Sequence, residues 1–205
     1  MTEYILPENL EGGVDECARG TLIGDVVAAC VVLPTTFETN KYLEIKDSKK
    51  LSIKKRGELA NYIKSIAITY GIGTASHIEI DNINILQATM KAMHRAINEA
   101  YKKHSFQSLK IDGIHFTPYA PPGIDTELIT SECIAKGDSK YLSIAAASIL
   151  AKDYHDKQII TLLNENPELE KYGLRTNQGY ATVKHRNAIK EYGLTKWHRK
   201  TFNIK

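Results

Sequence analysis

The sequence predicts an α/β protein in which a central mixed β-sheet is flanked by helices. The first apolar runs of the chain are short and rich in β-branched residues, and helical and strand-like patterns alternate from about residue 52 onward. The length of 205 residues and the ordinary composition, 42% hydrophobic and 25% charged, suit one compact core. We therefore predict a single domain that spans residues 1–205.

Two strands are predicted near the N-terminus. The short apolar approach Gly12–Val14 leads into Asp15 and reads as the end of a strand. The run Val26–Leu33 is almost entirely apolar and ends at Pro34, which is typical of a strand buried on both faces.

Helical spacing begins after these strands. Ser52 is a good N-cap for a helix whose apolar residues recur at Leu59, Ile63 and Ile66. The alternating stretch Ala75–Ile80 then predicts a strand. A longer helix is predicted to begin at Asp81 or Asn82, with core positions spaced by three and four residues at Ile83, Leu86, Met90, Met93 and Ile97.

The second half of the chain repeats this alternation. Leu109–Gly113 predicts a short strand with an acid at its end, and Leu128–Ala135 predicts another strand. Ser143 to about Leu163 predicts a helix with a face of small residues, which allows a close approach to its neighbour. Strands that alternate with helices indicate a mixed sheet.

Positive charge is concentrated in two segments although the net charge is only +3. Seven basic residues lie between Lys41 and Arg56, and seven lie between Lys184 and Lys205 beside a single acid. Clustered cations suit a polyanion, although two solvated surfaces would look the same. We expect the basic C-terminal segment, about 184–205, to be helical and to help hold such a polyanion.

Compartment signals favour the cytoplasm. No apolar stretch is long enough to cross a membrane, and the first residues lack the pattern of a secretory signal. The three cysteines are an odd number without C-x-x-C spacing, so we expect free thiols rather than a disulfide framework or a zinc site. No membrane partner is expected.

Acidic residues stand where predicted strands end. Asp15 and Glu16 close the first strand, Asp112 ends the Leu109–Gly113 strand, and Asp138 follows the last strand. Ligand sites of α/β sheets gather at such ends, although any one acid there is more often solvated or capping. Four carboxylates without a neighbouring histidine favour Mg²⁺ or Mn²⁺ over acid–base pairing. Two such ions would suit phosphodiester hydrolysis, provided that the carboxylates converge.

Six segments, from GVDECARG at residues 13–20 to NQGYAT at residues 177–182, resemble in order the ribonuclease HII family over residues 12 to about 202. The residues 13–20, GVDECARG, resemble that family's GxDEAGRG signature, and the helix 143–152, SIAAASILAK, resembles its SIAAASIxAK helix. Shorter matches to DSKKL, IDG, KGDS and NxGYxT lie at 47–51, 111–113, 136–139 and 177–182. Any single motif would be weak, but six in the correct order are specific.

The resemblance implies a ribonuclease H-like fold and cleavage of RNA in RNA/DNA hybrids, including a lone ribonucleotide in duplex DNA. It implies two Mg²⁺ or Mn²⁺ ions held by catalytic acids, a cut on the 5′ side of the ribonucleotide, and 3′-hydroxyl and 5′-phosphate ends. The acids that match the family's metal-binding positions are Asp15, Glu16, Asp112 and Asp138.

The resemblance also implies substrate contacts. Tyr180 matches the tyrosine that stacks on the sugar after the ribonucleotide, and Arg19 matches the arginine of the GRG loop. The other implied contacts are Ala18, Gly20, Ser48, Lys49, Ser148 and Lys152. Each has an ordinary alternative as a surface, turn or packing residue. His185 could assist leaving-group or phosphate handling, but a capping or surface histidine is expected. Asp156 is expected to be solvated or paired with lysine, although it falls where the family commonly has an aspartate.

The sequence departs from the family pattern at a few positions. Ala18 stands where the family has the first glycine of GRG. An alanine at this position is strained if the backbone there has a positive φ. Thr21 and Asp25 replace usual prolines, and His155 replaces a usual arginine. We expect a monomer without a sliding-clamp peptide. A catalytically weak hybrid-binding module and another ribonuclease H-like enzyme, such as a DNA nuclease or resolvase, remain the alternatives.

Overall fold

The computed structural model describes residues 4–46, 48–121 and 128–204. Within them, five strands form one sheet in the order β3-β2-β1-β4-β5. The strands are β1 (Glu11–Cys17), β2 (Val26–Val32), β3 (Thr69–Ala75), β4 (Ser108–Asp112) and β5 (Thr130–Ile134).

The helices cover both faces of this sheet. The α-helices are α1 (Ile53–Ile66), α2 (His77–Tyr101), α3 (Leu142–Glu165), α4 (Leu174–Asn177) and α5 (Val183–Tyr192). Short 3₁₀ helices are Asn40–Glu44, Ser48–Lys50, Gly137–Ser139 and Pro167–Tyr172. No helix among the described residues is long and apolar enough to cross a membrane.

The sheet is mixed, as predicted. β1 and β2 pair antiparallel, β2 and β3 pair antiparallel, and β1, β4 and β5 run parallel. β2 is buried along its whole length because the two helical layers enclose it. One layer is α2, which packs on Val26, Ala28 and Cys30, and the other is α1 with α3, which pack on Val27 and Ala29. The alternation of β2 side chains between two cores explains its uninterrupted apolar sequence.

The predicted strands β1, β2, β4 and β5 and the predicted helices α1 and α3 are confirmed. Ser52 caps α1 by accepting a hydrogen bond from the Lys55 amide. Met90 and Met93 lie in the core under β2. The three cysteines are free thiols.

The prediction for residues 75–80 is wrong. β3 ends at Ala75, and α2 begins at His77 rather than at Asp81 or Asn82. Ser76 and Glu79 form a capping box, in which each side chain accepts the other residue's backbone N–H. The alternation is misleading because Ile80 is buried by helical packing while Ile78 is exposed.

α2 is interrupted near the predicted start. Asn84 has φ 66° and ψ 165°, and its side chain accepts hydrogen bonds from the amides of Leu86 and Gln87. Asn84 therefore caps a second helical segment inside α2, which accounts for the helical pattern that the sequence shows from Asn82 onward.

The basic C-terminal segment is helical only in its first part. α5 ends at Tyr192, and residues 193–204 form turns and an isolated bridge between Ile23 and His198. These residues pack with α5 and the end of α3 in a third apolar cluster that includes Leu22, Ile159 and Ile189.

Candidate active site

Two neighbouring parallel strands end in carboxylates. β1 carries Asp15 and Glu16 near its end, and β4 ends at Asp112. The parallel register pairs Val14 with Ile111, so the next residue of each strand lies at the same edge of the sheet. Asp15 and Asp112, far apart in sequence, are therefore neighbours at this edge.

The fourth predicted acid lies in the turn after β5. β5 runs parallel to β4 with Ile134 opposite Asp112, and Asp138 follows four residues later. The Gly137 amide donates a hydrogen bond to Asp112 Oδ1 at 2.7 Å, which holds this turn against the end of β4. Asp138 is buried, and the Lys49 ammonium lies 3.3 Å from its Oδ2.

Negative charge is costly at this edge. Burial raises the pKa of Asp15 well above its usual value, and the carboxylates of Glu16 and Asp112 raise it further. Burial also raises the pKa of Glu16, although the Arg19 guanidinium, 3.2 Å from Glu16 Oε1, opposes the rise. Buried carboxyl groups of this kind are stabilised as anions when a cation joins them.

The donor set fits a hard divalent cation by its chemistry. Mg²⁺ and Mn²⁺ prefer carboxylate oxygens, and all four acids supply them. Within the described residues, however, no three His, Cys, Asp or Glu side chains are gathered as a ready metal site. Oxygens of Asp112 and Asp138 are instead engaged by the Gly137 amide and the Lys49 ammonium.

A short chain of hydroxyl groups leads to Asp15. The Ser48 and Ser148 hydroxyl oxygens are 2.9 Å apart and buried. The Ser148 hydroxyl hydrogen-bonds to Asp15 and lowers its pKa, in opposition to burial. Because a carboxylate only accepts, Ser148 donates to Asp15 and Ser48 donates to Ser148. These two serines thus support the Asp15 carboxylate.

Lys152 lies one helical turn beyond Ser148 on α3. Burial lowers the pKa of its ammonium, and the nearby Arg56 guanidinium lowers it further. Asp156, one more turn along, forms a buried ion pair with Arg56. The expectation that Asp156 is solvated or paired with lysine is therefore wrong. Arg56 also donates to the carbonyl oxygens of Ser48 and Leu51, at 3.3 and 3.0 Å, so it fixes the segment that carries Lys49.

Ala18 has a left-handed backbone with φ 63° and is buried. Both the amide and the hydroxyl of Thr21 donate to its carbonyl oxygen, at 3.4 and 3.0 Å. The side chain of Arg19 is half exposed, and no atom would meet a side chain at Gly20 within 4 Å. The loop therefore presents Arg19 and Gly20 outward on a backbone for which Ala18 is a strained choice.

Tyr180 lies beside this loop. It forms a β-bridge with Thr21, and the Leu22 amide donates to the Gly179 carbonyl at 2.8 Å. The ring is partly exposed, at 36%. The His155 and Tyr180 rings are T-shaped to one another, with 6.4 Å between their centroids. Tyr180 thus offers a partly exposed aromatic ring next to residues 18–20, which we call the Arg19 loop.

Sequence reasoning missed three buried polar residues near these loops: His198, Arg199 and Arg56. His185 is buried too, so its expected position at the surface is wrong. Arg199, counted among the cations that would hold nucleic acid, donates instead to backbone carbonyl oxygens of Arg19 and Gly24. A basic segment gives no signal that tells a buried cation from an exposed one.

Comparison with known proteins gives the same family as the motifs. The family model for ribonuclease HII matches residues 12–205. Ribonuclease HII of Christiangramia forsetii is 46% identical over 94% of this chain and 89% of its own length. Ribonuclease HII of Parabacteroides distasonis is 45% identical over 100% of this chain and 95% of its own length.

Solved structures share the fold. Ribonuclease H2 of Pyrococcus horikoshii OT3 superposes with a TM-score of 0.72 at 24% identity, covering 95% of this chain and 94% of that one. Bst-RNase HIII in complex with Mn²⁺ superposes with a TM-score of 0.74 at 18% identity, covering 97% of this chain and 68% of that one. The fold is therefore ribonuclease H-like. Since the family model and the close relatives cover nearly all of the sequence, the chain belongs to the ribonuclease HII family, whose members are hydrolases that cleave the RNA of RNA/DNA hybrids.

Proposed function

We propose that this chain is a monomeric, single-domain endonuclease that cuts RNA in hybrids and nicks duplex DNA on the 5′ side of a single ribonucleotide. The observation that carries the proposal is the parallel pairing of β1 with β4, which supports a shared site for Asp15 and Asp112. The raised pKa of Asp15 supports a site that is completed by a cation.

The catalytic acids are Asp15, Glu16, Asp112 and Asp138, which would hold two Mg²⁺ or Mn²⁺ ions. When bound, these ions activate a water nucleophile and stabilise the negative charge that develops on the phosphate. In their absence the Lys49 ammonium balances part of the charge of Asp138, which is supported by their ion pair at 3.3 Å. The Ser148 hydroxyl orients the Asp15 carboxylate.

Substrate recognition is proposed for the surfaces around these acids. Tyr180 stacks on the sugar that follows the ribonucleotide, and Arg19 with the backbone of Ala18 and Gly20 grips the junction. A protein distinguishes RNA from DNA through the 2′-hydroxyl, so the contacts of this loop select ribose. The phosphate contacts that we propose are Lys49 and Lys152. Ser48 and Ser148 are left out because their hydroxyl groups are buried and already donate within the chain that leads to Asp15.

The proposed reaction is a hydrolysis without a covalent enzyme intermediate. Water adds its oxygen to the phosphorus on the 5′ side of the ribonucleotide, and the bond from phosphorus to the preceding 3′-oxygen breaks. That oxygen leaves with a proton as a 3′-hydroxyl, and the ribonucleotide keeps a 5′-phosphate. Two ends of this kind are the products to look for.

A gel assay tests the proposal. Wild-type protein is incubated with Mg²⁺ or Mn²⁺ and three end-labelled duplexes: DNA with one ribonucleotide, a long RNA/DNA hybrid, and DNA alone. We expect a single nick in the first, cuts in the second, and none in the third. Asp15→Asn should reduce cleavage by at least about 100-fold, while the exposed helical control Glu58→Gln should leave it unchanged.

Other outcomes would each replace the proposal. Binding of the hybrid without any cut would favour a binding module. Equal cutting of the all-DNA duplex would favour another nuclease of the same fold. Full activity after exhaustive chelation with EDTA would exclude the metal requirement.

A further inference from the structure

Three distant segments meet behind the proposed recognition loops. We call residues 195–199 the C-terminal turn. Its Arg199 amide donates to the Leu22 carbonyl at 2.9 Å, and its Trp197 carbonyl accepts from the Gly24 amide at 3.1 Å. Residues 21–24 bond in turn, through Gly179 and Tyr180, to residues 178–182, which we call the Tyr180 loop. The C-terminal turn thus lies on the far side of the strand-like segment that joins both loops.

Arg199 of this turn is directed at backbone rather than at solvent. Only 1% of it is exposed, and it donates from Nε to the Gly24 carbonyl at 2.9 Å and from Nη1 to the Arg19 carbonyl at 3.0 Å. It therefore links the Arg19 loop to the far end of the strand-like segment 21–24 that follows it. A guanidinium can hold two carbonyl oxygens in a fixed geometry, whereas an ammonium concentrates its donors at one atom.

His198 and His185 connect the same turn to the Tyr180 loop. Their Nε2 atoms are 3.2 Å apart and buried. His185 Nδ1 lies 3.1 Å from the Tyr180 carbonyl oxygen, and His198 Nδ1 lies 3.0 Å from the Thr195 amide nitrogen.

These neighbours fix both tautomers. The Tyr180 carbonyl can only accept, so His185 carries its proton on Nδ1 and has a bare Nε2. The Thr195 amide can only donate, so His198 has a bare Nδ1 and carries its proton on Nε2. The central bond therefore runs from His198 Nε2–H to His185 Nε2, and both rings are neutral. The result is one directed chain from Thr195 to the Tyr180 carbonyl.

We propose that His198, His185 and Arg199 are positioning residues that set the separation of the Arg19 loop from the Tyr180 loop. This inference rests on the proposed function, because it assigns the two loops to recognition of a ribonucleotide. Arg199 bonds to the Arg19 loop, and His198 connects through His185 to the Tyr180 loop. Arg199 and His198 both belong to the C-terminal turn. None of the three residues contacts the four acids in any of the described interactions.

The separation of the Arg19 loop from the Tyr180 loop matters most for recognition of a lone ribonucleotide. Such a ribonucleotide offers one 2′-hydroxyl, so both loops must reach one junction at the same time. A long RNA strand offers a 2′-hydroxyl at every position and tolerates an error in their spacing. A misplacement of about 1 Å is enough to cost up to about 100-fold in rate. Loss of the positioning residues should thus affect the single-ribonucleotide substrate more than the hybrid.

The test uses two amides that differ by one methylene. In His198→Gln the amide nitrogen takes the place of Nε2 and still donates to His185. In His198→Asn the amide oxygen takes the place of Nδ1 and accepts from Thr195, but nothing reaches His185. The measured quantity is kcat/KM on the single-ribonucleotide duplex divided by kcat/KM on the long hybrid. We expect His198→Asn and Arg199→Lys to lower this ratio at least about tenfold, and His198→Gln to stay within about threefold of wild type.

Tyr172→Phe is the matched control. The Tyr172 ring packs against both His185 and His198, and its hydroxyl donates to the Gly193 carbonyl at 2.8 Å, away from the two loops. Tyr172→Phe should lower the melting temperature without changing the ratio of kcat/KM on the two substrates. Equal ratios in wild type, His198→Asn and Arg199→Lys would overturn the positioning role, as would equal losses in the two amide variants. A wild-type protein that cuts neither substrate would instead overturn the proposed function itself.

Discussion

Replacing Gly13 by alanine tests how closely α3 lies on β1. A Cβ at this position would lie 2.2 Å from the carbonyl carbon of Ser143 and 2.4 Å from the amide nitrogen of Ile144. Both are backbone atoms of the first turn of α3, and an ordinary contact begins near 3.4 Å. The helix would therefore have to move by roughly 1.2 Å, since backbone cannot rotate out of the way as a side chain can.

The cost follows from this displacement. Overpacking of a core typically costs about 1–3 kcal/mol, and a clash with backbone belongs at the upper end. Alanine lowers the conformational entropy of the unfolded chain, which offsets about 0.4–1 kcal/mol of this cost. We expect Gly13→Ala to lower the free energy of unfolding by about 2 kcal/mol, and the melting temperature by roughly 4–8 °C for a chain of this size.

Urea unfolding followed by circular dichroism measures the change, with Gly57→Ala as the matched control. Gly57 lies inside α1, where a Cβ would meet only Asp153 Oδ1 at 3.5 Å. The same substitution there should raise the free energy of unfolding by about 0.5–1 kcal/mol, because alanine favours the helix. A Gly13→Ala protein as stable as wild type would refute the close approach of α3 to β1.

Four further predictions concern buried charge and backbone strain. Asp156→Asn should lower the free energy of unfolding by roughly 3 kcal/mol because Arg56 loses its buried partner, and a double-mutant cycle in urea should show coupling between the two. Burial lowers the pKa of His155 to about 4, so the unfolded chain takes up a proton before the folded one as the pH falls below about 6.5. As the pH falls from 6.5 to 4, the free energy of unfolding of wild type should therefore fall relative to that of His155→Gln, by up to about 1.4 kcal/mol per pH unit. Above pH 7 the two proteins should show the same pH dependence. Ala18→Gly should change the free energy of unfolding by less than about 1 kcal/mol, since relief of strain is offset by the lost methyl and by chain entropy, whereas Ala18→Val should clearly lower the melting temperature. Asp15→Asn should raise the stability of the metal-free protein at pH 7, because the raised pKa marks a carboxylate that is costly in the fold, and a lower urea midpoint would contradict this.

The sequence predicts the elements that two-sided burial or local capping controls. β2 is recognisable because both of its faces pack on helices, which leaves no polar position in the run. α1 is recognisable from the Ser52 cap and the spacing of Leu59 and Ile63. The start of α2 is missed because the alternation of Ile78 and Ile80 imitates a strand, although the capping box of Ser76 and Glu79 is present in the sequence and outweighs it.

The candidate site likewise contains residues that the sequence could predict and residues that it could not. The acids could be found because they follow strand-like runs, and the motifs of the family add to that pattern. Arg199 could not be assigned, because its partners are backbone carbonyl oxygens and one of them is 180 positions away. Any residue type has a carbonyl, so no pattern of side chains marks the partner. The ion pair of Arg56 with Asp156 spans 100 positions and depends on the packing of α1 against α3.

The buried arginines and the acids of the candidate site affect the stability of the fold in opposite ways. The buried contacts of Arg56 and Arg199 stabilise the loops that carry the proposed substrate contacts. The Asp15 carboxylate at the end of β1 does the reverse, because its raised pKa means that its charge is costly in the folded protein. A ligand that binds only the folded state stabilises it in proportion to the logarithm of its concentration. The proposed metal site would therefore couple the stability of the sheet edge to the metal, whereas the buried contacts of Arg56 and Arg199 do not depend on it.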